Sequence, residues 1–361
     1  PGRRAALGWV GRERVLRLRH ADRQVAIARF LPGLQLVADA AVEEAKAAAI
    51  ADSAKPETND DAADDPAIWR NPADPAKSLI VGTDKKAGLH VYDLAGRELS
   101  FMPAPGLNNV DLVELPDGRV LALSSDRSDL ETAHISVARL DPDTAALTPI
   151  ARIEVGPGEG YGICMGEVDG DGSFTVFSVP KNGIVYRTAL QFEGEELIDK
   201  TETLTSVPSQ PEGCIADPRT GTLYIGEEAA GIWAIDMQTG DKRLVAEVDN
   251  RLLVADVEGL AIAPEGRDGG YLVASSQGDN AYAVFRLPGM EPVGRFRIGA
   301  GAFGSTEETD GIELDPRAFG PAFPGGLFVA QDGMNGASAQ NFKLVRWDAV
   351  LEALEAVPPA P

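Results

Sequence analysis

The chain has 361 residues, with 33 Lys or Arg against 56 Asp or Glu and a net charge of −23 at pH 7. Residues 1–50 are net basic, with nine Lys or Arg against five Asp or Glu, so the remaining body carries −27. An acidic body excludes nucleic acid as a partner, because a phosphate backbone needs a basic face. No run of eighteen apolar residues occurs, so the sequence offers no membrane-spanning helix and no membrane partner.

The first 57 residues read as an N-terminal extension. Two short strands are expected in it, in ERVLRLRH from Glu13 and QVAIARFL from Gln24. The stretch ADAAVEEAKAAAIADSA from Ala38 is rich in Ala and Glu, which favours a short helix over a linker. Lys55-Pro56 and the polar run TNDDAADD mark a boundary, after which one domain is expected over 58–355.

That domain is built from a repeat. A short apolar strand, a polar loop and a second apolar strand recur from Ser78, Val120, Phe174, Leu223, Tyr271 and Leu327. A strand-rich unit recurring at roughly this spacing predicts an all-β fold, a six-bladed β-propeller, with equivalent loops gathered around one central channel. Ahead of each pair stands another recurring element: DDPAIW at 64, NNVDLVEL at 108, GYGICMGEV at 160, PEGCIADP at 211, VEGLAIAP at 257 and TDGIELDP at 309. These are the expected channel-lining strands, with glycines where backbones crowd the axis. Tyr161, Glu212, Glu258 and Asp310 should open on one end of that channel. The loops after the second strands should bring Lys85, Arg127, Lys181, Glu228, Gln277 and Asp332 to the same end.

Cations on one side and carboxylates on the other suit a polyanion bridged by metal. Lys and Arg grip phosphate oxygens through charge-assisted hydrogen bonds. Clustered carboxylates without a cation between them repel and take up protons, and a hard divalent ion removes that conflict. Soft-metal sites are disfavoured, with three scattered His and two Cys in the chain. Other phosphatase and hydrolase chemistries lack their motifs: no His beside Arg-Gly, no Cys followed by a Gly-rich loop ending in Arg, no GxSxG and no HExxH. The Gly-rich GPGEGYG at 156–162 leads into a strand and not a helix, so it is no dinucleotide loop. DGDGS at 169–173 opens like a calcium loop but has Pro180 where the closing Glu belongs, which predicts a hairpin turn. Aligning Tyr161 with Glu212 sets Cys164 and Cys214 one residue out of step. They are therefore expected on opposite faces, as buried small apolar residues, with the redox compartment left open.

DDPAIW (64–69), LNNVDL (107–112), VEGLAI (257–262), ASSQGDNAY (274–282), ETDGIEL (308–314), GLFVAQDG (326–333) and QNFKLV (340–345) stand in order along the chain. In these strings it resembles the β-propeller phytases, calcium-dependent alkaline enzymes, from about residue 58 to residue 348. The resemblance implies release of phosphate from myo-inositol hexakisphosphate, or its calcium complex, by attack of a calcium-bound water, in a secreted or periplasmic monomer. It implies that Lys85, Arg127 and Lys181 grip phosphates beside Tyr161. Glu212, Glu228, Asp256, Glu258 and Asp310 would hold catalytic calcium ions, with Gln277 at the phosphate or water. Asp65, the backbone of Pro66 and Val110, and the Asn335 side chain would form a ring-closing structural calcium site. A further calcium of some members would use Asp332. There the family's other acidic positions hold Gly304 and Met334, and Asn182 stands where the family often has Glu. Two alternatives remain at this stage: a calcium-dependent lactonase or organophosphate hydrolase, and a non-catalytic propeller that binds a polyanion.

Overall fold

In a computed structural model of the chain, the structure describes residues 7–10, 13–19, 25–29, 45–53, 62–336 and 338–356. The chain divides into two compact units, residues 1–41 and 42–361. In the first, Leu7–Val10, Glu13–Arg19 and Val25–Arg29 form a three-stranded antiparallel sheet. Both strands read from the sequence are present there, and a third precedes them. The boundary expected at residues 57–58 lies outside the described residues.

The second unit is the propeller. Blade 1 comprises Ala63–Trp69, Leu79–Asp84, Gly88–Asp93 and Glu98–Pro103. Blade 2 comprises Leu107–Glu114, Val120–Asp126, Thr132–Asp141 and Ala146–Pro157. Blade 3 runs from Gly162–Val168 to Glu196–Ser206, blade 4 from Pro211–Asp217 to Lys242–Glu247, and blade 5 from Val257–Glu265 to Glu291–Gly299. Blade 6 has Ile312–Asp315, Leu327–Asp332 and Asn341–Arg346. The first strand of each blade contacts that of the next, and Ile312–Asp315 returns to Ala63–Trp69, so the ring closes. Large apolar side chains such as Phe174, Phe177, Phe285 and Phe328 are fully buried, packed within and between adjacent blades.

Two expectations are corrected. Ala45–Asp52, read as helix, is a strand. It pairs antiparallel with Asn341–Arg346 and parallel with Glu291–Gly299, so it completes blade 6 and ties it to blade 5. Ala47, Ala49 and Ala51 are buried while Lys46 and Ala48 are exposed, the alternation of a half-buried strand. Partners on both edges outweigh the local helix preference of alanine. The second correction is a Cys164–Cys214 disulfide, with Cα atoms 5.7 Å apart. The two residues lie on neighbouring inner strands, Gly162–Val168 and Pro211–Asp217, of different sheets. The rule that adjacent residues alternate faces applies within one sheet, and the register of the blade 4 strand also shifts between Pro211 and Cys214.

The axis is as crowded as the glycines suggested. A Cβ on Gly162 would stand 2.0 Å from the Glu212 carbonyl oxygen, and one on Gly213 would stand 2.2 Å from that of Glu258. The segment Asp169–Ser173 is a hairpin turn, with the Asp169 N–H donating to Ser173 O at 2.8 Å.

Candidate active site

One backbone hydrogen bond, repeated from blade to blade, positions the rim. The residue just past the second strand donates its N–H to a carbonyl that precedes an inner strand. Lys85 donates to Ala62, Arg127 to Gly106, Lys181 to Glu159, Glu228 to Gln210 and Gln277 to Asp256, at 2.8–3.2 Å. The sequence placed five of these six rim residues correctly. In blade 6 the equivalent bond runs from Gly333 to Glu307, so Gly333 takes the rim position and Asp332 lies one residue earlier, inside.

The rim encloses a cavity of about 830 Å³ lined by Lys85, Tyr161, Glu212, Glu228, Asp256, Glu258, Gln277 and Asp310, with Gln210, Gly333, Met334 and Gln340 also lining it. Glu212, Glu228 and Glu258 bring carboxylate oxygens within 4.8 Å of one another. Asp310 accepts from Gln277 Nε2 at 2.6 Å and faces Lys85 Nζ at 3.5 Å. Lys85 Nζ also meets Asp64 at 3.0 Å. Arg127 and Lys181 stand beside this cavity. Lys181 Nζ lies 4.6 Å above the Tyr161 ring, and Arg127 donates to Asn108 Oδ1 at 2.6 Å. Asn108 in turn donates to Glu212 at 2.9 Å, which links the basic side to the acidic side.

Burial and mutual repulsion set the electrostatics of this mouth. Burial pushes Glu212 up to about 7, with the Asp64 charge adding to it. Burial, then the neighbouring Glu212 charge, holds Glu258 well above the usual carboxylate range. Burial, then Asp64, does the same to Asp310, and burial raises Glu228. Desolvation first, and then the surrounding carboxylates, hold the Tyr161 hydroxyl protonated. Among the described residues, the buried oxygens Glu258 Oε2 and Asp64 Oδ2 have no hydrogen-bond partner. Orphaned oxygens and mutually opposed carboxylates fit a hard divalent ion, which takes oxygen ligands in flexible geometry.

Below the mouth, Asp65, Pro66 and Val110 line a cavity of about 20 Å³ in the channel, together with Asp111 and Glu313. That volume holds about one water-sized particle. Asp65 accepts from the Val110 N–H at 3.0 Å. Burial, then the Asp64 charge, holds Asp65 well above its ordinary value, and burial pushes Asp111 up to about 6. Asn335 belongs to a different cluster. Its Oδ1 accepts from Lys343 Nζ at 3.2 Å, its N–H donates to Asp332 at 3.1 Å, and Lys343 Nζ pairs with Asp332 Oδ2 at 2.9 Å. Asp332 is therefore already neutralised by a buried ammonium, away from the glutamates of the mouth.

Several site residues carry no role in the sequence reading. Asp64 and Asn108 stand inside motif strings without one, and Gln210 and Glu159 lie two residues before Glu212 and Tyr161, which alone have roles there. The repeated pre-strand position was the available signal.

The comparisons with known proteins bear on this site. A family model described as Phytase matches residues 24–359. A 3-phytase of Bacillus subtilis strain 168 is 38% identical over 328 residues, which covers 83% of each chain. The chain belongs to the phytase family. It is a phytase-type hydrolase on a propeller. Solved structures share the architecture at low identity. A calcium-binding protein, regucalcin, from Agrobacterium tumefaciens strain C58 matches with a TM-score of 0.53 at 15% identity, covering 84% of this chain and 97% of regucalcin. A DUF4623 family protein from Bacteroides eggerthii matches with a TM-score of 0.51 at 10% identity, covering 95% and 86%. At these identities the likeness concerns the fold alone. Among the described residues, no helix of the chain is long and apolar enough to cross a membrane.

Proposed function

We propose that the protein releases phosphate from phytate in a calcium-dependent reaction. The reading is carried by one arrangement: Lys85 lines the cavity with Glu212, Glu228, Glu258 and Asp310, while Lys181 packs on the lining Tyr161 and Arg127 reaches Glu212 through Asn108. Glu212, Glu228, Asp256, Glu258 and Asp310 would hold the ions, with Asp64 added to them by its orphaned oxygen. Calcium bound there would supply a more acidic water and neutralise charge developing on the phosphoryl oxygens. The protein's own groups do the rest. Arg127 and Lys181 bind and orient phosphate oxygens, and the Asn108 bridge fixes Arg127 relative to Glu212. Tyr161, kept protonated, offers a hydroxyl donor on that side. Gln277 holds Asp310 by its amide and so fixes which carboxylate oxygen faces Lys85.

A second ion in the channel at Asp65, Pro66 and Val110 is part of the reading, supported by the cavity there and by Asp111 and Glu313 around it. Asn335 and Asp332, which pair with Lys343, are left out of it. The disulfide supports an oxidising compartment, consistent with a secreted or periplasmic protein. The test is calorimetric titration of calcium into Glu258→Gln alongside phosphate release from phytate. Weakened calcium binding together with lost turnover is expected. A variant that keeps both at wild-type levels overturns the proposal.

A further inference from the structure

We propose that Glu159 is a resident anion of the basic rim. Its carboxylate holds the place of a substrate phosphate between Lys181 and Arg127 until phosphate displaces it. Glu159 thereby sets how tightly this side of the mouth takes phosphate. The inference rests on the reading of Arg127 and Lys181 as phosphate-binding groups.

The geometry carries it. A single oxygen, Glu159 Oε1, lies 3.0 Å from Lys181 Nζ and 3.7 Å from Arg127 Nε. One anionic oxygen shared between an ammonium and a guanidinium is the arrangement a phosphate oxygen takes. The side chains are within reach of a dissolved anion, being 21% exposed for Glu159, 29% for Arg127 and 31% for Lys181. Lys85 differs, since its partner Asp64 has a side chain only 1% exposed. A buried partner stays, whereas Glu159 can rotate outward.

The loop carrying Glu159 is itself held. The Gly158 N–H donates to Glu131 O, the Lys181 N–H to Glu159 O, and the Asn182 amide to Pro157 O at 2.9 Å. A Cβ on Gly160 would lie 2.5 Å from Asp126 O, so the backbone can pass that close only as glycine. The backbone is thus fixed while the carboxylate remains mobile about its own rotamers. The cations also keep other partners when the carboxylate leaves. Arg127 retains Asn108 and Lys181 retains the Tyr161 ring. Partly exposed ion pairs of this kind are weak, so a more highly charged phosphate can replace the carboxylate.

The experiment is calorimetric titration of inorganic phosphate into the calcium-free full chain, comparing wild type, Glu159→Gln and Arg127→Ala. Glutamine keeps the shape and removes the charge. Glu159→Gln should bind phosphate about three- to tenfold more tightly, and its KM for phytate should fall in parallel with little change in kcat. Arg127→Ala should bind at least tenfold more weakly. Unchanged or weaker binding in Glu159→Gln overturns the proposal, because a brace that merely positions the cations would lose affinity when neutralised. Unchanged binding in Arg127→Ala instead places the failure in the phosphate-binding reading of the rim.

Discussion

Breaking the Cys164–Cys214 bond is a quantitative test of how the inner strands of blades 3 and 4 are joined. The bond closes a loop of sequence separation 50. In the chain-entropy account, opening such a loop frees the unfolded state by about 4 kcal/mol. Unfolding entropy of about 2.1 cal/mol/K per residue, taken over the unit 42–361, converts this to a melting shift of about 6 °C. The assay is thermal unfolding followed by circular dichroism, with and without a thiol reductant strong enough to act as the chain opens. Wild type should melt about 6 °C lower in reductant. Cys164→Ala/Cys214→Ala should melt low in both conditions and ignore the reductant. Denatured wild type should expose no free thiol until reduced. Two titratable thiols in the unreduced protein, or a melt that the reductant leaves in place, would refute the reasoning.

Other perturbations address the mouth and the interior. Arg127→Ala should cut phytate turnover at least tenfold while leaving the melting temperature within about 1 °C, since Arg127 is partly exposed; wild-type turnover removes it from the phosphate-gripping set. The calcium-free protein should lose stability as pH rises from 4.5 to about 7, because folded Glu212 holds its proton to higher pH than the unfolded chain does. Excess calcium should reduce that loss, and melting curves at pH 5 and pH 8 that depend on pH equally with calcium and with chelator contradict it. Lys343→Ala strands Asp332 as an unpaired buried carboxylate and should cost about 3–5 kcal/mol in denaturant unfolding; a loss below ~1 kcal/mol means the pair is solvated. Phytate should be hydrolysed with higher kcat/KM than a simple phosphomonoester, because the cations come from three separate blades. Equal efficiency on both would count against that.

The ring was legible because its cause is periodic. Each unit repeats the same apolar strands, and the glycines before Ile163, Cys214, Leu260 and Ile312 record a backbone contact that only the closed ring creates. The rim was legible for the same reason, since Lys85, Arg127, Lys181, Glu228 and Gln277 follow their second strands within one or two residues. What escaped depends on contacts between units. Nothing local in Ala45–Asp52 announces that Asn341–Arg346 and Glu291–Gly299 will flank it. The cysteines pair between the inner strands of two neighbouring sheets, a contact that alternation within one sheet does not announce. Asp332 was assigned to the rim by counting strands, and the hydrogen bond from Gly333 corrects the count by one. Asp64 escaped because only its neighbour Asp65 has a role in the motif reading, although it shares Lys85 with Asp310.

The most direct measurement is phosphate release from phytate by the purified chain after exhaustive chelation, followed by stepwise return of calcium. The crowded carboxylates of the mouth call for negligible release without the ion and recovery as calcium is restored. Full release in the chelated protein would contradict a catalytic mouth that needs a cation to function.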